Sequence, residues 1–184
     1  MKLKLLFIAL PIIALGQEEM NINADDINNV HDVAYFKSDT TLVSGVVRQW
    51  HDNSQLHKEK TYKDGVADGA FKSWYKNGQL EFEGTFKNNK WDGVYKTWYD
   101  NGQLMSEATY KDGVLEDGVS KKWHFNGQLW TERISKDGNK SFVLKEYHDN
   151  GKLSGKILYK SNKLVSSKKW NRNGKLSQDF TIKD

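Results

Sequence analysis

A seven-residue motif that recurs six times constrains the fold more than any other feature of this chain. In its clearest copy, Trp98–Leu104, two aromatic residues precede Asp-Asn-Gly, and a Gln-Leu pair follows the glycine. The glycine position and its equivalents fall at residues 54, 78, 102, 127, 151 and 174, at intervals of 23 to 25 residues. A period of this length is typical of tandem-repeat proteins. The six copies are Trp50–Leu56, Trp74–Leu80, Trp98–Leu104, Trp123–Leu129, Tyr147–Leu153 and Trp170–Leu176.

Each copy of the motif predicts a β-hairpin. Asn-Gly between strand-forming residues favours a two-residue type I′ turn, because both central residues of that turn need positive φ. Five glycines are therefore predicted to be structural turn residues, while Ser54 takes this position in the first copy: Gly78, Gly102, Gly127, Gly151 and Gly174. A looser turn, Lys-Asp-Gly or Lys-Asn-Asn, is predicted between hairpins. The Asp-Gly pairs that follow it, such as Asp68-Gly69, are interpreted as further turn formers.

The repeat length decides the fold class. About 24 residues per repeat hold two strands and two turns, and they leave no room for a helix as well. The aromatic residues fall on both faces of the predicted strands, which does not suit a two-layer sandwich with one dry face per sheet. The sequence therefore predicts an all-β fold: an elongated, twisted, antiparallel single-layer sheet of about six tandem hairpins.

The predicted turn also fixes which residues face each other across a hairpin. With Asn101 and Gly102 as the loop, Lys96 lies opposite Glu107. The same offset places opposite charges across five of the six hairpins, at Arg48 and Glu59, Lys72 and Glu83, Lys96 and Glu107, Lys121 and Glu132, and Lys168 and Asp179, whereas Lys145 faces Lys156. On this register the tryptophans and the charged pairs share one face. The Tyr/His column shares the other face with leucines such as Leu104, and His57 faces Trp50.

The start of the chain has the pattern of a secretory signal peptide. Lys2 and Lys4 precede an apolar run, and small residues lie at its end, so residues 1–16 are predicted to be the signal. We expect cleavage near Gly16/Gln17 and an exported protein, in the periplasm, on the outer surface or in the medium. The chain contains no cysteine, which excludes disulfides and thiolate metal sites.

The segment between the signal and the repeats is polar and acidic. Residues 17–34 are rich in Asn and Asp and show no period, which predicts a flexible or loosely docked lead-in. Residues 35–45 look like half a repeat that caps the array, because terminal repeats are normally atypical. The repeat domain is therefore predicted to span residues 35–184.

The repeated residues resemble a known family. Tyr-x-Asn-Gly-x-Leu, an acidic residue, Tyr/Phe-Lys-Asp-Gly and a further Asp-Gly are similar to the bacterial variant of the MORN repeat, over residues 35–184. Proteins built from this variant are commonly labelled antitoxin components of the YwqK type. The resemblance implies an interaction or membrane-surface module rather than a catalyst.

The sequence offers little for catalysis or metal binding. His51, His124 and His148 occupy one repeat position, so neighbouring positions lie about 9–10 Å apart by strand spacing. That distance is too long for shared coordination of one zinc ion. No nucleophile elbow, phosphate-binding loop or calcium-loop spacing occurs. We therefore expect no enzymatic activity, no metal and no cofactor.

Two functional hypotheses remain. The first is a non-catalytic exported scaffold that binds a protein or a membrane surface along its sheet. The alternative is a ligand-binding module of the choline or sugar type, in which Trp74, Trp98 and Trp123 supply the ring contacts. Nucleic-acid binding is disfavoured because removal of Lys2 and Lys4 with the signal peptide lowers the net charge from +4 to only +2.

The charge is unevenly distributed along the chain. Residues 133–184 contain 13 basic and 5 acidic residues, whereas residues 17–45 contain one base and six acids. Bases that hairpin pairing leaves over are predicted to bind an acidic protein or an anionic membrane surface: Lys145, Lys156, Lys169 and Arg172. We also expect the acidic segment to fold over this tail when no partner is bound. Lysines on a terminal strand can alternatively serve only to prevent edge-to-edge pairing of sheets.

Overall fold

The computed structural model describes residues 21–182, and in this range the chain is almost entirely β-structure. The predicted signal peptide, residues 1–16, lies outside the described residues. The one helical element in the described range is a single 3-10 turn, Ala24–Asp26. The strands are β1 (Asn21–Asn23), β2 (Ile27–Val30), β3 (Val33–Phe36), β4 (Gly45–Trp50), β5 (Leu56–Lys63), β6 (Val66–Trp74), β7 (Leu80–Lys87), β8 (Lys90–Trp91), β9 (Gly93–Trp98), β10 (Leu104–Lys111), β11 (Val114–Leu115), β12 (Gly118–Trp123), β13 (Leu129–Lys136), β14 (Ser141–Tyr147), β15 (Leu153–Lys160), β16 (Lys163–Trp170) and β17 (Leu176–Thr181).

Fifteen strands form one sheet, and β2 and β3 form a separate two-stranded sheet. From β4 onward, the strands follow each other in chain order and neighbours are antiparallel, which confirms the predicted elongated single-layer fold. The six predicted hairpins, numbered 1 to 6 below, are β4–β5, β6–β7, β9–β10, β12–β13, β14–β15 and β16–β17. At the first edge of the sheet β1 pairs with β4, in the parallel sense.

The turns of the motif differ from the predicted type. In hairpin 3 Gly102 has φ +82°, but Asn101 does not adopt positive φ. The Gly102 N–H donates to the Tyr99 carbonyl over 2.9 Å, and the Tyr99 N–H donates to the Gln103 carbonyl over 2.8 Å. This is a three-residue loop, a type I turn followed by a glycine bulge, so the type I′ prediction is wrong. All five predicted turn glycines do adopt positive φ, as does Ser54.

Two-residue turns of the I′ kind occur instead between hairpins. Asp64 and Gly65 have φ of +48° and +79°, and Asn88 and Asn89 have φ of +47° and +63°. Positive φ at both central residues matches the right-handed twist of the flanking strands. The turns predicted to be looser are therefore the tighter ones.

The register is nevertheless the predicted one. Lys96 pairs with Glu107, and the other five predicted partners also face each other. A three-residue loop alone would shift this pairing by one position. A β-bulge between Leu104 and Ser106 adds one residue to the second strand and restores it.

The bulge changes which side chains share a face. Trp98 pairs directly with Leu104, so the leucines lie on the tryptophan face and not beside the Tyr/His column as predicted. For the same reason the prediction that His57 faces Trp50 is wrong. His57 stacks instead on His51, with ring centroids 4.2 Å apart.

Two names are used below for the faces of the sheet. The charge face carries the tryptophans, the leucines and the paired charges, including Lys96 and Glu107. The core face carries the Tyr/His column together with residues such as Phe71 and Tyr95. On the core face six rings from hairpins 2 and 3 and from β8 pack together: Phe71, Phe82, Phe86, Trp91, Tyr95 and Tyr110.

The N-terminal segment covers the beginning of the array. Residues 21–34 of the range predicted as a flexible lead-in, together with Tyr35 and Phe36 of the predicted half-repeat, form β1, the 3-10 turn and the β2–β3 hairpin. Ala34 and Val43 have no exposed surface, and Ile22 retains 5%. They pack with three residues of the first two hairpins, Val47, Tyr62 and Ala67, to form the hydrophobic core.

The predicted half-repeat, residues 35–45, caps the array by a different contact. Tyr35 and Leu42 form an isolated bridge, and the Gly65 N–H donates to the Val43 carbonyl over 2.8 Å. The segment therefore packs over the turn between hairpins 1 and 2. It does not add a strand beside β4, because β1 occupies that edge.

Candidate interaction surfaces

The asparagine of each motif joins one hairpin to the next. Asn101 Oδ1 accepts a hydrogen bond from the Gln103 N–H over 3.0 Å, which closes its own turn. Its Nδ2 donates to the Phe125 carbonyl of the following turn, also over 3.0 Å. The same inter-repeat bond joins Asn53 to Lys76, Asn77 to Asp100, Asn126 to Asp149 and Asn150 to Arg172. The motif needs asparagine because one side chain closes a turn and bonds the next repeat.

The Tyr/His column makes a second series of inter-repeat bonds. The Tyr99 hydroxyl donates to the Trp123 carbonyl over 2.7 Å, and the equivalent Tyr75 hydroxyl donates to the Trp98 carbonyl. His51, His124 and His148 place Nε2 2.7, 2.9 and 3.0 Å from carbonyls of the following repeat. Because a carbonyl only accepts, Nε2–H is the donor in each case. The rings are structural, and no His/Asp/Glu group in residues 21–182 could hold a metal ion.

The Asp-Gly pairs lie at the other ends of the strands, next to the turns that connect one hairpin to the next. Asp68 lies within β6, and its carboxylate accepts from the Asn88 N–H of the next turn over 3.3 Å. Asp117 accepts from the Gly138 and Asn139 N–H groups over 2.8 and 2.7 Å. Serine hydroxyls accept the corresponding bonds at two other turns. Ser44 Oγ accepts from the Asp64 N–H, and Ser141 Oγ accepts from the Ser161 N–H. These aspartates cap the turns of neighbouring repeats, so the interpretation of Asp68-Gly69 as a turn is wrong.

The charged pairs form one continuous ladder on the charge face. Glu83 faces Lys72 within its hairpin and Lys96 in the next one. Basic and acidic residues alternate in this way across eight strands and then give way to three consecutive lysines. The full order is Arg48, Glu59, Lys72, Glu83, Lys96, Glu107, Lys121, Glu132, Lys145, Lys156, Lys168 and Asp179.

Two of the four predicted basic binding residues are neutralised within the array. Lys145 Nζ lies 2.8 Å from Glu132 Oε2, on the preceding hairpin. An Arg172 nitrogen lies 2.8 Å from Asp149 Oδ1, on the preceding turn. The expectation that hairpin pairing leaves these charges free overlooked contacts between hairpins.

The other two predicted basic residues are exposed but lie on opposite faces. Lys156 belongs to the charge ladder, between two other lysines. Lys169 pairs with Gly155 and Gln178 on the core face. The four predicted residues therefore do not form one patch. The acidic segment does not cover them either, because residues 21–36 lie against the first hairpins.

The predicted tryptophan site also takes a different form. Trp74, Trp98 and Trp123 are half-buried, and each pairs across its hairpin with a leucine. Successive indoles are separated by one whole repeat, about 9–10 Å. They form a column on the sheet and do not close around a cationic ligand.

The charge face of hairpins 4 and 5 carries an apolar row that sequence reasoning missed. Val119, Ile134, Val143 and Leu158 face each other in sequence across four strands. Val119 and Ile134 are 51% and 44% exposed. Earlier hairpins have threonine where Ile134 and Leu158 stand, at Thr61, Thr85 and Thr109. The sequence shows this replacement, but only the register of the strands shows that the replaced residues lie side by side in one row.

Lysines surround this apolar row. Lys136 and Lys160 line the same cavity, about 490 Å³, as Ile134, Val143 and Leu158. Lys156 is exposed and lies two residues before Leu158 on the same strand. The term lysine-rimmed patch is used below for the apolar row together with its lysines: Val119, Ile134, Val143, Leu158, Lys136, Lys156 and Lys160.

Ion pairs keep several carboxyl groups of the last hairpins ionised. A hydrogen bond from Lys145 is the main cause of the lowered pKa of Glu132. Lys168 lowers the pKa of Asp179 in the same way, and Arg172 lowers that of Asp149. In the first half of the array the corresponding case is Asp92, whose pKa is lowered by Lys111.

Comparison with known families matches five segments of the chain to the MORN repeat variant, at residues 44–64, 67–88, 91–112, 116–137 and 143–161. Each segment covers the turn and all or nearly all of the strands of one of hairpins 1 to 5, and hairpin 6 is not matched. The match is to the repeat and does not distinguish the antitoxin-labelled proteins from others that contain it. No curated protein matches the chain. Residues 21–182 contain no helix with the length and apolar character needed to cross a membrane.

Proposed function

Because the chain belongs to the family of MORN repeat variants, we propose that it is an exported, non-catalytic scaffold that binds an anionic membrane surface through its lysine-rimmed patch. The family match covers more than half of the chain. The recurrent polar side chains make bonds inside the array, as Asn101 and Tyr99 illustrate. The recurrent Asn and Tyr/His side chains therefore serve to join one hairpin to the next, which supports a scaffold.

The observation that carries the proposal is the lysine-rimmed patch. Its apolar row runs across four strands, about 15 Å at ordinary strand spacing. Burial of exposed apolar side chains at the boundary between lipid headgroups and acyl chains lowers the free energy. Each lysine near an anionic bilayer adds about 1 kcal/mol. An apolar row with a rim of lysines therefore matches an anionic membrane better than a purely charged protein surface.

Export is part of the proposal and rests on residues 1–16. The expected mature chain begins at Gln17 and would meet envelope lipids after export. The intact mass of the native protein tests this directly. A mass that retains residues 1–16 in the envelope or extracellular fraction would contradict cleavage.

Vesicle sedimentation tests membrane binding. The mature chain is mixed with phosphatidylcholine vesicles that contain 30% phosphatidylglycerol, or none. We expect binding to the anionic vesicles only, and weaker binding in 0.5 M salt, because exposed charges are then screened over a few ångströms. Lys136→Gln with Lys160→Gln should reduce binding roughly thirtyfold, because two lysine contacts of about 1 kcal/mol each are lost.

The repeat supplies a matched control. Lys63 and Lys87 occupy the positions equivalent to Lys136 and Lys160 in hairpins 1 and 2. Lys63→Gln with Lys87→Gln removes the same charge far from the patch and should leave binding within twofold. Equal losses from both double variants would mean unspecific attraction. No binding to anionic vesicles would contradict the membrane proposal and favour an acidic protein partner.

A further inference from the structure

The core face has a hollow between the N-terminal rings and the last hairpins. It has a volume of about 840 Å³ and crosses β10, β12, β13 and β14. Tyr95 and Tyr110 line one side, and Trp130, Arg133 and Leu144 line the other. A volume in this range is typical of small-molecule sites. The site is distinct from the lysine-rimmed patch, which lies on the opposite face.

The hollow exists because two strands carry small residues on the core face. Position 120 in hairpin 4 is serine, where the preceding hairpins have Phe71 and Tyr95 and the next has Leu144. Its neighbour across the strands, Ala108, is also small. Hairpin 6 also has a serine at this position, Ser167, but Ser120 lies between the hairpins that carry Tyr95 and Leu144, so its small size opens the sheet surface between two large side chains.

Arg133 lies in this hollow as a half-buried cation. Its guanidinium stacks on Phe142, 4.3 Å from the ring centroid, and donates two hydrogen bonds to Asn139. No carboxylate lies within 4.0 Å of Arg133 in residues 21–182, unlike Arg48 and Arg172, which are both ion-paired. Of its five N–H donors, three have no protein acceptor in that range.

The physical consequence is a preformed position for an anion. Phe142 and Asn139 hold the guanidinium plane, so little side-chain entropy remains to be lost when an acceptor binds. A planar guanidinium matches a carboxylate through two parallel hydrogen bonds. The tyrosine and tryptophan rings beside it favour a ligand that is itself ring-shaped.

We propose that this hollow binds a small carboxylate that carries an aromatic ring. The carboxylate pairs with Arg133, and the ring lies over Ala108 and Ser120 between Tyr110 and Trp130. Ser120 determines specificity through its small size. This inference does not depend on membrane binding, which uses the other face.

The probe is 4-hydroxyphenylacetate, followed through the side-chain Nε–H signals of the three arginines in the chain, Arg48, Arg133 and Arg172. We expect a saturable shift of the Arg133 signal alone. The neutral amide of the probe lacks the charge, and acetate lacks the ring. Each should bind at least about tenfold more weakly, since a hydrogen-bonded charge and a buried ring are each worth that much.

Two serine variants separate the hollow from the rest of the sheet. Ser120→Tyr fills the hollow with the side chain that hairpin 3 has at this position and should abolish binding. Ser167→Tyr makes the same change at the equivalent position of hairpin 6, outside the hollow, and should leave binding within twofold of the wild type. Circular dichroism checks the fold of both.

Several results would overturn the proposal. Retention of binding in Ser120→Tyr would place the ligand elsewhere. Equal shifts of all three arginine signals, or equal binding of acetate, would reduce the effect to general charge attraction. If Ser120→Tyr does not fold, Arg133→Lys decides the question, with binding followed through the ring proton signals of the probe because the Arg133 signal is lost. This variant keeps the charge but loses the bidentate geometry, and wild-type affinity in that variant contradicts the proposal.

Discussion

The two halves of the array obey the same repeat rule but are stabilised differently. The buried apolar side chains of residues 21–182 all lie in the N-terminal part, at Ile22, Ala34, Val43, Val46, Val47, Tyr62 and Ala67. Hairpins 4 to 6 bury no such residue, and their buried polar side chains are Ser135 and Ser141. The inter-repeat bonds through asparagine and Tyr/His side chains nevertheless extend to the turn of hairpin 6.

Different interactions extend the sheet from hairpin to hairpin and stabilise its N-terminal end. Hydrogen bonds between repeats continue the fold from hairpin to hairpin, and a conventional core is needed only at one end. In a repeat protein each unit is stabilised chiefly by its neighbours. Both faces of the last hairpins are therefore free for other uses, such as the lysine-rimmed patch and the hollow beside Arg133.

The largest difference between the halves should come from one aromatic position. Tyr62→Ala should lower the free energy of unfolding by about 3–5 kcal/mol, because it leaves a cavity in the core. Tyr159 is the equivalent residue of hairpin 5 but is only half-buried, stacked on Phe142 at 4.7 Å. Tyr159→Ala should cost about 1–2 kcal/mol. Urea unfolding of the two variants gives the comparison, and equal losses would show that the halves do not differ in packing.

The second test concerns the asparagine ladder. Asn101→Ala loses the turn bond and the bond to Phe125, about 1–2 kcal/mol together. Asn101→Asp keeps the acceptor for the Gln103 N–H but loses the donor, so it isolates the inter-repeat bond. The side chain of Asn173, at the equivalent position of hairpin 6, makes no hydrogen bond within residues 21–182, and Asn173→Ala should cost only a few tenths of a kcal/mol. Thermal midpoints of the three variants check this order, and a reversed order would contradict the ladder.

Acid should weaken the C-terminal half first. The carboxyl groups of Glu132, Asp149 and Asp179 have pKa values lowered by their hydrogen-bonded bases. A lowered folded pKa means that the stabilisation is complete above the unfolded value, near pH 4, and is lost as pH falls through the folded value. Amide signals of β15–β17 followed from pH 7 to pH 3 should lose protection before those of β5–β7. Simultaneous loss along the whole sheet would contradict the prediction.

The smallest effect tests the continuity of the charge ladder. If Lys96 and Glu107 were an isolated pair, Lys96→Glu with Glu107→Lys would restore what each single change loses. In the ladder the exchanged charges meet Glu83 and Lys121, so the double variant should remain a few tenths to 1 kcal/mol less stable than the wild type. At the end of the ladder the exchange of Lys168 and Asp179 should be tolerated, because it places an acid beside Lys156. A double-mutant cycle at both sites distinguishes the two arrangements.

The period of the motif was sufficient to predict the repeat number and the single sheet. The turn type was not predictable from it, because Asn-Gly fits both a two-residue turn and the last two positions of a three-residue loop. The predicted loop was one residue too short, and the bulge was not predicted. These two errors cancelled in the pairing of Lys96 with Glu107, but they placed Leu104 on the wrong face of the sheet. Pairing of Lys145 with Glu132 was missed because only contacts within hairpins were considered.

The candidate surfaces were harder to predict than the fold for a physical reason. They arise where the repeat departs from its own pattern, at Ser120, Ile134 and Leu158. Such departures are indistinguishable from ordinary variation until the strands are placed side by side. The folded N-terminal segment was missed in the same way, since Ile22, Ala34 and Val43 are isolated apolar residues in a polar stretch.

We propose that the C-terminal hairpins give up a regular ladder in exchange for a binding surface. A single substitution, Lys156→Glu, tests this exchange most directly, with two measurements on the same protein. An acid between Lys145 and Lys168 completes the alternation, so the thermal midpoint should rise by the equivalent of about 0.5–1 kcal/mol. Binding to anionic vesicles should fall severalfold. An unchanged or lower midpoint together with full vesicle binding would contradict the claim.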